Sequence, residues 1–225
     1  MNFHPMHRTR LLVLHPDPIL CAGLVAALRQ HPGFDVFVHD GEKANLEQER
    51  IDVVLADYKS AMQLTDGATR VGLGIPGEPR ILVITPNDRE ADIRRAIEAG
   101  VYGYLLVGGP LKELIDGVTS VASGLRYMSM AVAQRMADSL TRATLTSRET
   151  EVLHLVVSGQ PNKVIARELS IELGTVKSHV STIMMKLGAS SRTQAARIAA
   201  SRGLVEEPER SSQRAGGMEA RLQFA

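Results

Sequence analysis

The stretch LGTVKSHVSTIMMKL, residues 173–187, decides the fold of the C-terminal third of this chain. Its apolar residues recur at steps of four, three and four, which places them on one face of an α-helix: Val176, Val180, Ile183 and Leu187. The polar residues of the same stretch fall on the other faces. The spacing therefore predicts a helix with one buried side and one polar, cationic side.

Three further helical patterns surround this one. Residues 162–169 form a short amphipathic pattern, and only Ser170–Glu172 separate it from the next helix. Two helices joined by so short a connection cross steeply, so the second can project into a groove. An earlier helix opens with a Thr146-x-x-Glu149 capping box, and residues 192–201 form a last helix with a small-residue face. We therefore expect four helices between residues 145 and 205.

Three segments, LTSRETEVL, NKVIARELSI and TVKSHVSTIMMKLGASSRTQA, closely resemble the DNA-binding domain of the LuxR/NarL/FixJ family of transcription regulators. The resemblance spans about sixty continuous residues. It implies a helix-turn-helix domain whose third helix enters the major groove and whose last helix forms a dimer contact. The family's base-reading positions fall on Lys177, Ser178 and Ser181.

The chemistry of these side chains agrees with that assignment. Lysine can donate to guanine O6 and N7, and serine hydroxyls can donate or accept at base edges. Five other polar residues are expected to contact phosphates and so to position the protein on DNA: Asn162, Lys163, Thr175, Lys186 and Arg192. A homodimer with two such helices would read an inverted-repeat operator in double-stranded DNA.

Composition fits a soluble globular protein without a membrane span. The chain has 225 residues, 44% hydrophobic content and a formal net charge of +1. From Arg142 onward, 12 Lys and Arg oppose 8 Asp and Glu, a balance of +4, whereas the preceding part has 14 against 17, or −3. The basic excess thus lies in the proposed DNA-binding part. A single cysteine, Cys21, and the absence of a signal-peptide pattern favour the cytoplasm.

The first half of the chain alternates apolar runs with helical patterns. Strands are expected at residues 10–14, 35–38, 51–56, 80–85 and 102–106, and the clearest helical patterns fall at 20–28, 89–99 and 111–123. Strands rich in Val, Ile and Leu that alternate with helices predict a parallel sheet covered on both faces. The fold class is therefore α/β, a five-stranded, doubly wound domain over residues 8–127, followed by the all-α domain.

The order of these elements resembles the receiver domain of two-component response regulators. The strand DVVLAD ends in Asp57, where the family carries its phosphorylated aspartate. ILVIT places Thr85 at the family's switch hydroxyl, and GYLL places Tyr104 at its switch aromatic residue. Independently of the family, chemistry in open α/β sheets collects at the carboxyl ends of strands, where these residues are expected.

The sequence departs from the receiver pattern at the residues that handle phosphate. His15 and Pro16 stand where two acidic residues hold Mg²⁺ in the family, and Val107 replaces its lysine. Imidazole and proline are poor partners for a cation that prefers oxygen ligands. Phosphoryl transfer depends on positioning and on positive charge at the phosphoryl oxygens. We therefore expect a vestigial acceptor site, no metal, no cofactor, no enzymatic activity and regulation without phosphorylation.

Several alternatives stay open at the level of sequence. A conventional regulator could still be phosphorylated at Asp57 through an unusual cation arrangement. An adaptor could instead work through heterodimers and barely touch DNA. A small ligand or a partner protein could replace phosphate at the receiver. Residues 128–144 are expected to form a linker helix and hinge, and residues 206–225 a disordered tail.

Overall fold

The computed structural model describes residues 8–39, 50–72, 74–75 and 77–205. The expected disordered tail, residues 206–225, lies outside this described part. The chain divides into two compact units between Thr141 and Arg142. Among the described residues, no helix combines the length and the apolar character that crossing a bilayer requires.

The first unit is built on one parallel sheet. Its strands are β1 (Thr9–Leu14), β2 (Phe34–Val38), β3 (Val53–Ala56), β4 (Arg80–Thr85), β5 (Gly103–Leu106) and β6 (Tyr127–Met128). They lie in the order β2-β1-β3-β4-β5-β6, and every neighbouring pair is parallel. Apolar clusters cover both faces of the sheet. The predicted α/β class is confirmed.

The expected number of five strands was wrong, because β6 adds a sixth beside β5. A two-residue strand is too short to give a periodic signal in the sequence. Its approach depends on Gly103: a Cβ there would lie 2.9 Å from the Tyr127 carbonyl oxygen and 2.5 Å from a Leu82 methyl carbon. The missing side chain at Gly103 therefore leaves room for the backbone of β6.

In its described residues, the first unit has six helices. They are α1 (Pro18–Arg29), α2 (Tyr58–Leu64), α3 (Gly67–Gly72), α4 (Glu90–Glu98), α5 (Leu111–Ala122) and α6 (Met130–Leu140). The short helices α2 and α3 were not anticipated from the sequence. Helix α6 lies within residues 128–144, where a linker helix was expected. It packs on α4 and β5, with Val132 fully buried, so α6 is part of the first unit.

The described part of the second unit, residues 142–205, is an all-α bundle of four helices. They are α7 (Ser147–Val157), α8 (Asn162–Glu168), α9 (Leu173–Leu187) and α10 (Arg192–Ser201). Thr146 and Glu149 form the expected reciprocal capping box at the start of α7. Val152, Leu153 and Ile165 are fully buried and meet the apolar side of α9 in one core. Burial of this kind on a helix bundle is what fixes the orientation of α9.

Candidate nucleic-acid interface and receiver site

Helix α9 has the two-sided character that its sequence predicts. Val176, Ile183 and Leu187 are buried at no more than 4% exposure, and they hold the helix against the core. The left-handed backbone of Gly188, with φ 65°, ends the helix. At its start, Glu172 makes no side-chain capping bond, so the first-turn amides of α9 have no side-chain acceptor from that residue.

Lys177, Ser178 and Ser181 are exposed on the side of α9 that faces away from the core. None of the three side chains makes a hydrogen bond or an ion pair with another described residue. One neighbour was overlooked in the sequence: Met185 is 74% exposed and follows Ser181 by one helical turn. An i, i+4 search from Ser181 would have found it. The face thus combines one cation, two hydroxyls and one thioether.

The residues expected to contact phosphates divide into two groups. Lys163 and Thr175 are exposed and have no described intramolecular partner, so their donors are accessible. Asn162 has an internal bond, because its Oδ1 accepts from Arg192 Nη1 at 3.0 Å. Its amide nitrogen makes no described contact. The side chains of Lys186 and Arg192 make more internal hydrogen bonds than that of Asn162.

Lys186 is used inside the second unit. Its Nζ donates to Glu149 Oε2 at 2.7 Å and to the Thr144 carbonyl oxygen at 3.0 Å. The Glu149 side chain is only 8% exposed. The bond from Lys186, followed by the backbone N–H of Thr146, holds the pKa of the Glu149 carboxyl below its usual range. The ammonium group therefore has two internal acceptors, and its expected phosphate contact stays a prediction.

Arg192 is likewise engaged by the chain itself. Besides Asn162, its guanidinium donates to the Gln160 carbonyl oxygen at 2.5 Å and to the Val156 carbonyl oxygen at 3.4 Å. Burial lowers the pKa of this arginine. These bonds join the start of α10 to the end of α7 and to the loop before α8. The structure thus gives Arg192 an internal role where the sequence suggested a phosphate contact.

In the first unit, the candidate acceptor Asp57 directly follows β3. Its carboxylate accepts from the backbone N–H groups of Lys59 at 3.0 Å and Ser60 at 3.3 Å, which caps the N-terminus of α2. The preceding Ala56 is paired in register with Leu14 of β1. His15 and Asp57 therefore leave adjacent strands at the same edge of the sheet.

The residues after β1 supply few oxygen ligands. His15 Nδ1 accepts from the Asp17 backbone N–H at 3.1 Å, and its buried Nε2 has no partner among the described residues. The Asp17 carboxylate caps α1 by accepting from Ile19 at 2.9 Å and Leu20 at 3.1 Å. An imidazole, a proline and a carboxylate already used as a cap do not fit the oxygen set that Mg²⁺ prefers.

Thr85 and Tyr104 meet at the loop that follows β4. Thr85 Oγ1 accepts from the Asn87 backbone N–H at 3.2 Å, and the Tyr104 hydroxyl donates to the Asn87 carbonyl oxygen at 2.9 Å. Both residues are buried, at 5% and 1% exposure. Burial, with a further contribution from Asp92, raises the pKa of Tyr104 well above its usual range. Tyr104 is therefore a neutral hydrogen-bond donor under ordinary conditions.

Val107 directly follows β5, and its backbone N–H donates to the Thr85 carbonyl oxygen at 3.0 Å. It is 37% exposed and lines a cleft of about 220 Å³ between α1 and α5. The cleft walls are mostly apolar and include Leu20, Leu24 and Leu111, but not His15, Asp57 or Thr85. Of the five residues expected at the vestigial acceptor site, Val107 lines this cleft and the other four do not.

Together, the two units define a class of protein, a DNA-binding transcription regulator of the response-regulator type. Residues 143–199 match the family model described as bacterial regulatory proteins, luxR family. The chain is 33% identical over 201 residues to the transcriptional regulatory protein LiaR of Bacillus subtilis strain 168, which covers 83% of this chain and 94% of LiaR. The chain therefore belongs to the LuxR/NarL family of response regulators.

Other comparisons agree with this membership. The nitrate/nitrite response regulator NarL of Escherichia coli K12 is 31% identical over 206 residues, covering 83% of this chain and 92% of NarL. A structure of RcsB from Salmonella typhimurium has the same fold, with a TM-score of 0.66 at 20% identity, covering 86% of this chain and all of that one. A structure of an RcsB–DNA complex gives a TM-score of 0.61 at 21% identity, covering 86% and 98%. The relatives are transcription regulators, not enzymes.

Proposed function

We propose that this protein is a sequence-specific regulator that binds an inverted-repeat operator as a homodimer in the cytoplasm. The observation that carries the proposal is the exposed face of α9, where Lys177, Ser178 and Ser181 have no internal partner among the described residues. Donors that have no internal acceptor can form hydrogen bonds to base edges. The RcsB–DNA complex, on a chain of the same fold, supports the same use of this domain.

The backbone of DNA would be held by Lys163 and Thr175, with the Asn162 amide nitrogen as a further donor. Lys163 is a cation without an internal partner in the described part of the chain. Each cation that neutralises a phosphate releases a counterion, so binding should weaken with salt. We leave Lys186 and Arg192 out of this set because their donors are already bonded within the unit.

We also propose that the receiver works without phosphorylation of Asp57. Phosphoryl transfer to a carboxylate needs cations placed around the transferred group. At this edge His15 and Pro16 replace carboxylate ligands, Asp17 caps α1, and Val107 offers an apolar side chain where the family has a lysine. Asp57 itself caps α2. These features support a structural role for Asp57.

The test of DNA binding is selection of genomic fragments by the purified protein, followed by titration of the best fragment. The wild-type chain should give a defined footprint with two-fold symmetry. Lys177→Ala should shift the footprint to a protein concentration about thirtyfold higher, whereas Lys112→Ala, which changes an exposed lysine on α5, should leave it unchanged. Binding that is weak, equal on all fragments and unchanged in Lys177→Ala would contradict the proposal and favour an adaptor.

The test of phosphorylation independence is intact mass after incubation with acetyl phosphate and Mg²⁺. We expect no phosphate adduct on the wild-type chain and no change in its operator affinity. A triple variant, His15→Asp, Pro16→Asp and Val107→Lys, restores the family's charged residues and provides the positive control. An adduct on the wild-type chain that Asp57→Asn abolishes would show that the receiver still accepts phosphate.

A further inference from the structure

Helix α6 is held on the first unit by both apolar and polar contacts. Val132 is fully buried in the same core cluster as Tyr104, and Met136 packs against that cluster. At the start of α6, the Ser129 backbone N–H donates to the Tyr104 carbonyl oxygen at 3.1 Å, and its Oγ accepts from the Val132 N–H at 3.4 Å. Helix α6 therefore begins beside β5 and continues along the apolar cluster that contains Tyr104.

Two polar contacts hold the body of α6 against the region around α4. Arg135 forms an ion pair with Asp88, which lies in the loop between β4 and α4. Near the end of α6, Arg94 Nη2 of α4 lies 3.5 Å from Ser139 Oγ. Ser139 is only 5% exposed, whereas the next residue, Leu140, is 80% exposed. The contact thus ends sharply at the last turn of the helix.

The loop that holds Arg135 also carries the bonds from Thr85 and Tyr104. The Asn87 backbone N–H donates to Thr85, the Asn87 carbonyl oxygen accepts from Tyr104, and Asp88 is the next residue. Asn87 Nδ2 also donates to Asp92 Oδ2 at 2.6 Å, which fixes the loop on α4. One short loop therefore connects the buried residues at the sheet edge with the outer surface of α6.

From these contacts we propose that α6 is a releasable clamp that sets the length of the tether to the DNA-binding unit. With α6 in place, only residues 141–146 separate its end from the start of α7. Six residues reach at most about 20 Å. If α6 detached as an intact helix of 11 residues, the tether would gain about 16 Å, and more if it unwound.

The inference rests on the proposed function, because tether length matters when the two DNA-binding units of a homodimer must reach two half-sites at once. In a dimer bound to one half-site, a short tether gives the other DNA-binding unit a high effective concentration at one half-site spacing and a low one at other spacings. A long tether lowers that concentration but reaches further. The clamp would therefore make the regulator selective for half-site spacing, and its release would relax that selectivity.

The experiment compares the full-length chain with the double variant Val132→Ala and Arg135→Ala. Alanine keeps helix propensity high, so α6 can stay helical while it loses its contacts. Gln134→Ala is the matched control, because it removes only an exposed bond within α6, from Gln134 to Asp138. Arg135→Ala alone provides a milder variant in case the double variant does not fold.

Two measurements are made on each protein. Amide hydrogen exchange over residues 130–140 should be about tenfold faster or more in the double variant, and unchanged in Gln134→Ala. Affinity is then measured for the best selected fragment and for a version with ten extra base pairs between the half-sites. The insertion should weaken wild-type binding about thirtyfold and the double variant less than about fivefold.

Faster exchange together with an unchanged spacing preference would overturn the inference. Exchange of α6 that is already fast in the wild-type chain would do the same, because no clamp would then exist. A wild-type chain that binds no fragment specifically would overturn the proposed function itself, and the spacing inference with it. The result of the exchange measurement keeps these failures distinguishable.

Discussion

The sheet edge of the first unit and the exposed face of α9 both carry polar side chains, but the two regions use them differently. At the sheet edge, Asp17 and Asp57 cap helices, and Thr85 bonds to Asn87. On α9, Lys177, Ser178 and Ser181 have no partner among the described residues. Polar groups that are satisfied internally favour stability, whereas free ones are available for a ligand. Under the proposed function, this difference separates a structural region from a binding surface.

The strongest way to test this division is to remove an internal partner. Lys186→Ala should lower the free energy of unfolding of the second unit by about 3 kcal/mol, because it leaves the Glu149 carboxylate buried without its cation. Chemical denaturation monitored by circular dichroism measures the loss. Lys112→Ala breaks only an exposed i, i+4 pair with Asp116 and should change stability by less than about 0.5 kcal/mol.

Removing a side chain that has no described internal partner should weaken DNA binding and leave stability unchanged. Lys177→Ala should weaken binding to the selected operator by about 2 kcal/mol, roughly thirtyfold, while the melting temperature stays unchanged. Fluorescence anisotropy and thermal denaturation on the same samples provide the two values. Equal losses of affinity and stability would mean that Lys177 has a structural role, and the two regions would no longer differ as described.

A smaller effect distinguishes a cap from a phosphoacceptor at Asp57. Asp57→Ala should cost about 1 kcal/mol through the lost N-cap of α2, whereas Asp57→Asn, which keeps a capping oxygen, should cost much less. Neither change should alter operator affinity. A loss of affinity in both variants, at unchanged stability, would instead assign signalling chemistry to this residue.

The smallest expected effect is the response of the second unit to mild acid. A carboxyl whose folded pKa lies below its unfolded value contributes stability above the unfolded pKa and loses it as pH falls through the folded one. Because the pKa of Glu149 is lowered, its contribution should persist between pH 7 and about 5 and decline only below the ordinary Glu value of about 4.3. Glu149→Gln should flatten that decline in pH-dependent unfolding curves.

Much of the fold could be predicted from local patterns. Five strands are predictable from apolar runs, and α9 from an apolar stripe, because burial imposes a period on the sequence. Helices α2 and α3 span only seven and six residues, and β6 only two, so none produces a clear period. Short elements depend on tertiary contacts that a local pattern does not contain.

The candidate site was predicted less completely, for a related reason. The exposed Lys177 follows from helix periodicity alone, since its neighbours in the stripe define the buried side. The roles of Lys186 and Arg192 depend on partners 37 and 30 residues away, Glu149 and Asn162. A cation on a helix looks the same in sequence whether it faces a phosphate or a buried carboxylate.

The bond from Lys186 to the Thr144 carbonyl oxygen has a practical consequence for dividing the chain into fragments. That oxygen lies just before the capping box of α7, outside the four helices. A fragment that starts at Leu145 would lack it, so one acceptor of Lys186 in α9 would be missing. The shortest autonomous DNA-binding fragment should therefore start no later than Thr144, and its N-terminal peptide group is part of the folded domain.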